Sequence, residues 1–308
     1  MFDYNAVIIG AGPAGLTASL YLARGKRSVL VISERIYDAQ VGLLELVENY
    51  PGFPDGVSGA ELIDTMVTQA SNYGADFNTD RVLSVERSNN GFAVICESGA
   101  IITSGILIAA SGSRRRKLGV PGETELSGRG VFSCAFCDGT NFVGKPVAVV
   151  GGGDAGITEA LYLSNLASQV YVLEMLPRLS ATAVMLDRLS EVSNVTVRCG
   201  VTVSEILGDC VVSALRMKNE SGGSETIEVD GVLVDIGQLP NTDYLSELLG
   251  LEKDGRVSVD EKMATDLPGL FAAGDIRASS PGQISTAVGD GATAGINAIK
   301  LLQAESSI

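Results

Sequence analysis

The stretch AVIIGAGPAGLTASLYLAR, residues 6–24, reads as a short apolar strand, a glycine-rich turn and an apolar helix. The turn, Gly10-Ala11-Gly12-Pro13-Ala14-Gly15, has G-x-G-x-x-G spacing. In such a turn the first glycine permits the tight bend and the second lets backbone N–H groups approach a pyrophosphate. The third lets helix and strand pack closely, with the helix N-terminus facing the anion. One such turn is weak evidence, because it can serve packing alone. The same grammar recurs as PVAVVG (146–151), the turn Gly151-Gly152-Gly153-Asp154-Ala155-Gly156, ITEALYLSNLA (157–167) and QVYVLE (169–174). The following strand of the first copy is SVLVIS (28–33), and Gly10 to Ser33 and Gly151 to Glu174 span the same 23-residue interval. The βαβ unit is duplicated. This predicts an α/β chain with two Rossmann-like, three-layer ββα dinucleotide-binding domains.

Between the copies, FAVICES (92–98) and AIITSGILIAAS (100–111) read as strands of a β-rich crossover. VTVSEIL (201–207), CVVSALRMKN (210–219) and TIEVDGVLVDI (226–236) repeat that pattern after the second copy. SRRRKLGVPG (113–122) and LPNT (239–242) carry the Gly, Pro and charge of linkers. The chain then returns through VSVD (257–260), LFAAGD (270–275) and a last helix, TAVGDGATAGINAIKLL (286–302). The expected organisation is a first domain, 1–113 and 243–308, interrupted by a second, 114–242.

The 308 residues carry 22 Lys+Arg against 37 Asp+Glu, a net charge of −15. That balance repels phosphate backbones and anionic lipid, so neither nucleic acid nor a membrane surface is an expected partner. No apolar run reaches the ~18–20 residues of a membrane span, and MFDYNAVIIG lacks the basic region of a signal peptide. There is no histidine, which removes Ser-His-Asp and Cys-His nucleophiles and most zinc sites; no metal is expected. Of five cysteines, only Cys134 and Cys137 are neighbours, while Cys96, Cys199 and Cys210 are scattered. That is no secreted disulfide framework, and a cytoplasmic protein is expected.

Cys134-Ala135-Phe136-Cys137-Asp138-Gly139 is a C-x-x-C pair followed by a carboxylate. Such a pair can bind metal, exchange disulfides or lie inert. A structural zinc wants a second pair or histidines, absent here. A reversible disulfide is favoured, with Asp138 placed to give or take a thiol proton.

GAGPAG (10–15), VENYPGF (47–53), ASG (110–112), CAFCDG (134–139), GGGDAG (151–156), IGQLPNTD (236–243) and FAAGD (271–275) occur in this order. Together they resemble the low-molecular-weight thioredoxin reductase family across essentially the whole chain. The resemblance implies FAD on the first domain, a nicotinamide-type domain carrying the C-x-x-C, a homodimer, and a thioredoxin-like or other disulfide protein as partner. It also implies a hinge rotation of the second domain on its two linkers. Gly10, Gly12 and Gly15, with Pro13 and Ala14, would hold the FAD pyrophosphate. Asp275, beside Gly274, would bond the ribityl chain, and Gln283, with Gly282 and Ile284, would approach the flavin ring. Gln40 and Asn49 would line the flavin pocket, and Ala110, Ser111 and Gly112 form the ASG motif. Ser33 and Glu34 both stand where the adenosine ribose is met. Gly151, Gly153, Gly156 and Glu174 would form the nicotinamide dinucleotide site.

Two departures bear on the electron donor. Family members that use NADPH carry His-Arg-Arg and a further Arg at the positions of Glu174, Met175, Leu176 and Ser180, where they bind the 2′-phosphate. Here all four are missing, and Glu174 repels a phosphate while suiting a free ribose 2′-OH. VLEMLP also resembles NADH-dependent flavoproteins of alkyl hydroperoxide reductases. In addition, the flavin-side loops differ: Asp38-Ala39-Gln40-Val41 follows Tyr37, and Gly282 stands where an Arg is usual. Some relatives have lost nicotinamide dependence and use ferredoxin or a second flavin, on which Tyr37 would stack. The expectation is a FAD-dependent disulfide oxidoreductase not driven by NADPH. NADH, a second FAD and ferredoxin remain open as donors, and a flavin-binding redox sensor is the alternative of another class.

Overall fold

The computed structural model describes residues 2–36, 40–44, 46–88, 90–219 and 221–305. Along the chain run β1 (Tyr4–Ile9), α1 (Pro13–Arg24), β2 (Val29–Ser33), α2 (Gly59–Asn72), β3 (Asp76–Thr79), β4 (Val82–Ser88), β5 (Gly91–Cys96), β6 (Ile101–Ala109) and β7 (Ser113–Arg115). Next come β8 (Val131–Phe132), α3 (Ala135–Asp138), β9 (Pro146–Val150), α4 (Asp154–Ser164), β10 (Gln169–Glu174), α5 (Ala183–Ser190) and β11 (Val195–Cys199). β12 (Val201–Leu207), β13 (Ala214–Asn219), β14 (Ser224–Glu228), β15 (Gly231–Val234) and β16 (Gln238–Pro240) follow, then β17 (Leu270–Ala272) and α6 (Ile284–Glu305).

The chain divides into two compact units, Met1–Arg114 with Leu239–Ile308, and Arg115–Gln238. The return crossing thus lies earlier than residue 242. Asn241 and Thr242 are tied into the first unit: the Asn241 N–H donates to the Gly112 carbonyl at 2.9 Å, and the Thr242 hydroxyl to that of Gly255 at 2.6 Å. β7 and β16 pair as a two-stranded sheet.

In the first unit the order is β3-β2-β1-β6-β5-β4, with β17 also on β6. The pairings β3-β2, β2-β1, β1-β6 and β6-β17 are parallel, while β4 and β5 continue antiparallel. Ala6 and Ile8 face α1, α2 and α6, and Val7 and Ile9 face Val85, Phe92 and Val94 of β4 and β5. Burial on both faces is why AVIIG shows no polar alternation. α1 and α6 approach closely because α6 presents small residues; a Cβ on Gly291 would lie 2.1 Å from the Ala14 carbonyl oxygen.

The second unit repeats this design. A parallel sheet, β11-β10-β9-β15-β8, packs Val147, Val149, Val170 and Val172 against α4, and Ala148, Val150 and Leu173 toward the antiparallel sheet β12-β13-β14. Both units are therefore Rossmann-like sheets in a mixed α/β chain.

Two readings of the sequence change. TIEVDGVLVDI is two strands in two sheets, β14 and β15, because the Asp230 N–H turns to the Pro146 carbonyl at 2.9 Å. Only Ala214–Asn219 of CVVSALRMKN is strand. On the returning chain VSVD makes a single bridge, Val257 to Arg277. Helix α2 had a legible signal, since Ser58 caps it by accepting the Glu61 N–H at 3.1 Å, the first half of an S-x-x-E box. Among the described residues no helix is long and apolar enough to cross a membrane, and no cluster of His, Cys, Asp or Glu suits a metal ion.

Candidate functional site

The first glycine turn is shaped by its own backbone at two of its three glycines. Gly10 has φ +109°, and a Cβ there would sit 2.2 Å from the Ala110 carbonyl oxygen. A Cβ on Gly15 would sit 2.0 Å from the Gly10 oxygen, whereas one on Gly12 would meet nothing. Packing demands Gly10 and Gly15; no protein atom demands Gly12. Gly12 is also the N-cap of α1, with Pro13 in the first turn and no side chain capping the helix. An open backbone face at an uncapped helix N-terminus is what a dinucleotide pyrophosphate fits.

Around this turn the first unit gathers several of the expected residues. At the end of β2 the Ser33 hydroxyl donates to the Arg35 carbonyl at 3.1 Å, and Glu34 pairs with Arg81 at 3.4 Å on the surface. Gly274 has φ +78°, and a Cβ there would stand 3.0 Å from the Ala14 methyl. Its N–H donates at 3.1 Å to Asp290, a buried carboxylate held by Arg277 at 2.6 and 3.1 Å. The sequence reading missed Asp290 and Arg277, since nothing in TAVGDGATAG marks that aspartate. Asp275 accepts the Ser113 hydroxyl at 3.2 Å. Burial pushes the Asp275 carboxyl up, with Ser113 and Arg256 pulling it down and Asp290 adding to the rise.

The Asn49 amide donates to the Gln283 side-chain oxygen at 3.1 Å. Gln283 follows Gly282 (φ +68°) and precedes Ile284, the first residue of α6; Gln40 opens a short 3₁₀ turn, Gln40–Leu43. The Ser111 hydroxyl is taken by the Asn241 carbonyl at 2.6 Å and lies 3.0 Å from the Tyr244 hydroxyl. Its role in the fold is thus to tie the ASG loop to the returning chain. Burial raises the Tyr244 hydroxyl pKa, which Ser111 partly offsets. Tyr37 lies outside the described residues.

The second turn copies the first. A Cβ on Gly151 (φ +125°) would lie 1.8 Å from the Asp235 carbonyl oxygen, and one on Gly156 2.2 Å from that of Gly151. Gly153 again faces open space, with the Ser180 hydroxyl 3.7 Å away, and is the side-chain-uncapped N-cap of α4. Glu174 closes β10, where one carboxylate oxygen accepts the Gly152 N–H at 2.7 Å and the other the Leu176 N–H at 2.8 Å. The carboxylate is thereby held against the turn, beside the exposed, uncharged Met175 and Leu176.

Cys134 and Cys137 are joined by a disulfide. Cys134 is the N-cap of α3, its sulfur accepting the Cys137 N–H at 3.1 Å. Cys137 is exposed and Cys134 half-buried. Asp138 ends α3 and lines a cleft of about 360 Å³ with Arg129, Asn141, Phe142 and Lys145. The Ala135 N–H donates to Glu159 of α4 at 2.6 Å, Glu159 pairs with Arg115 at 3.1 Å, and Arg115 reaches Asp235 at 3.5 Å. Burial raises the Asp235 pKa, against the pull of Arg115. The sequence reading named none of these three charged groups.

The family model for pyridine nucleotide-disulphide oxidoreductases matches residues 4–291. The thioredoxin reductase of Listeria innocua is 39% identical over 302 residues, 97% of this chain and 94% of that one. An alkyl hydroperoxide reductase component of Staphylococcus aureus is 34% identical over 297 residues, 96% of this chain but 58% of that longer protein. The crystal structure of Lactococcus lactis thioredoxin reductase matches with a TM-score of 0.95 at 32% identity, covering 98% of this chain and 99% of that one. With two dinucleotide turns and a C-x-x-C disulfide in place, the chain belongs to the pyridine nucleotide-disulphide oxidoreductase family, as a thioredoxin reductase-like FAD disulfide oxidoreductase.

Proposed function

We propose that this protein carries electrons through FAD to the Cys134–Cys137 pair and on to the disulfide of a thioredoxin-like protein, with NADH rather than NADPH as donor. The observation that carries the donor assignment is Glu174, a carboxylate fixed at the second turn by two backbone N–H groups and flanked by Met175 and Leu176. A carboxylate in this place accepts a ribose 2′-OH and repels a 2′-phosphate, which needs charge-assisted partners.

FAD, when bound, supplies the two-electron carrier that reopens the disulfide. The open face at Gly12 and the N-terminus of α1 suit its pyrophosphate, and Asp275 would hold the ribityl chain while the joined Asn49 and Gln283 would meet the ring. Cys137, the more exposed sulfur, gives its proton to Asp138 and attacks one sulfur of the partner disulfide. The partner S–S bond breaks, and its leaving sulfur takes a proton from Asp138. Cys134 then gives its proton to Asp138 and attacks the Cys137 sulfur. The Cys134–Cys137 bond re-forms, the partner's second sulfur departs with that proton from Asp138, and two electrons and two protons have moved to the partner.

We assign the protein to the cytoplasm as a homodimer; sedimentation equilibrium checks the assembly. The second reading, a donor without nicotinamide, is favoured by Gly282, which has φ +68° and opens into free space beside Gln283 where a side chain would narrow access. Anaerobic stopped-flow mixing separates the readings through bleaching of the oxidised flavin band. NADH should bleach it fast and NADPH slowly, and Glu174→Ala should weaken NADH ~10- to 100-fold in apparent affinity. Faster bleaching by NADPH overturns the donor assignment. Failure of both nicotinamides moves it to the second reading, and absence of steady turnover with any disulfide protein leaves a flavin-binding sensor.

A further inference from the structure

In the second unit three strand ends converge. β8 leads into Cys134, β9 into the Gly151 turn and β15 into Asp235. β9 and β15 are neighbours where the strand order reverses, the place at which open parallel sheets hold ligands. Arg115 lies there between two carboxylates, 3.1 Å from one oxygen of Glu159 and 3.5 Å from Asp235. The other oxygen of Glu159 accepts the N–H of Ala135 at 2.6 Å, and Ala135 is the first helical residue after Cys134. The three charged side chains are largely shielded, with Glu159 15% and Asp235 7% exposed.

We propose that Glu159 is a positioning residue that fixes Cys134 through Ala135 and, together with Arg115, sets how readily the reduced pair ionises. The inference rests on the reading of Cys134 and Cys137 as a working redox pair. A thiolate on Cys134 gains from N–H groups at the start of α3, and the Cys137 N–H already points at its sulfur. Glu159 occupies the Ala135 N–H and adds a negative charge one residue away, which opposes a thiolate. Arg115 offsets that charge. Among the described residues, the other ionisable groups near α3 are Asp138 on the helix itself, Tyr162 of α4 beside Phe136, and Arg129, Lys145 and Asp230, which line the same cleft as Asp138.

Removing either partner breaks the same ion pair, so a purely structural role would move both variants in one direction. The charge argument moves them in opposite directions. Glu159→Gln keeps an acceptor for Ala135 but deletes the charge, and should lower the thiol pKa. Arg115→Met combined with Asp235→Asn deletes the cation without stranding Asp235, leaves Glu159 charged with the Ala135 N–H as its partner, and should raise it.

The test is iodoacetamide alkylation of the dithiothreitol-reduced full chain across pH, with Cys134 and Cys137 read separately by peptide mapping. Below the parent midpoint, Glu159→Gln should react ~3- to 10-fold faster and Arg115→Met/Asp235→Asn slower by a similar factor. Thermal melts should fall for both. Shifts of the same sign, or none in either variant, overturn the inference while the redox reading stands. A disulfide that dithiothreitol cannot open overturns the redox reading and this inference with it.

Discussion

Asn49 and Gln283, 234 residues apart in the chain, join side chain to side chain at 3.1 Å. One follows the Gln40–Leu43 turn and the other leads into α6. The resemblance assigns both to the flavin pocket, and the fold of the first unit makes them a single element.

If this pair shapes the flavin pocket, Asn49→Leu and Gln283→Leu should each speed FAD loss, and the double variant should cost less than the sum. A coupling of about 0.5–1.5 kcal/mol is expected, read from FAD release by fluorescence. Strict additivity would separate the two residues functionally.

The glycines of the first turn should divide by cause. Gly12→Ala has room and an extended backbone (φ −79°, ψ 179°). Its apo melting temperature should stay near the parent's while FAD affinity drops at least ~10-fold. Gly15→Ala meets the Gly10 carbonyl and should destabilise the apo protein by roughly 1–3 kcal/mol. Calorimetry with and without FAD checks both, and an apo Gly12→Ala protein as unstable as Gly15→Ala would show that packing fixes that position too.

Burial raises the Asp275 carboxyl above its ordinary value, so the folded state holds that proton more tightly than the unfolded chain. Its contribution to stability is fully present below the unfolded pKa and is lost as pH rises through the folded one. Asp275→Asn should therefore stabilise the apo protein near neutrality, and the gain should vanish toward pH 3. Urea melts across pH read this directly; a gain that grows with acid would reverse the sign.

Cys134→Ser should trap a mixed disulfide between Cys137 and a thioredoxin-like partner, because the resolving thiol is gone. Cys137→Ser should trap little, and both variants should retain FAD. Non-reducing electrophoresis with mass mapping decides between them, and trapping through Cys134 would invert the assigned order of attack.

Much of the fold was legible because its constraints repeat locally. The apolar runs AVIIG and PVAVV, their glycine turns and the helices after them recur at one spacing, and each became a βαβ unit. TIEVDGVLVDI misled because its strand-like pattern does not say which sheet each half joins. Gly231 marks the division: a Cβ there would meet the Phe142 ring at 2.6 Å, a contact no local pattern announces.

The two glycine turns divide along the same line. Gly15 against Gly10, and Gly156 against Gly151, are contacts within six residues of chain, so spacing alone determined them. The type of each turn, the C-x-x-C pair and the carboxylate ending the second β-strand of the repeat were equally matters of sequence. The tertiary structure alone decided that the Ala110 carbonyl backs Gly10 and the Asp235 carbonyl backs Gly151. It also decided that Glu159, an unremarked glutamate in TEALYLS, holds the residue after Cys134. Hydrogen bonds and steric exclusion act over a few ångströms of space, and separation along the chain does not record which distant groups folding brings within that reach.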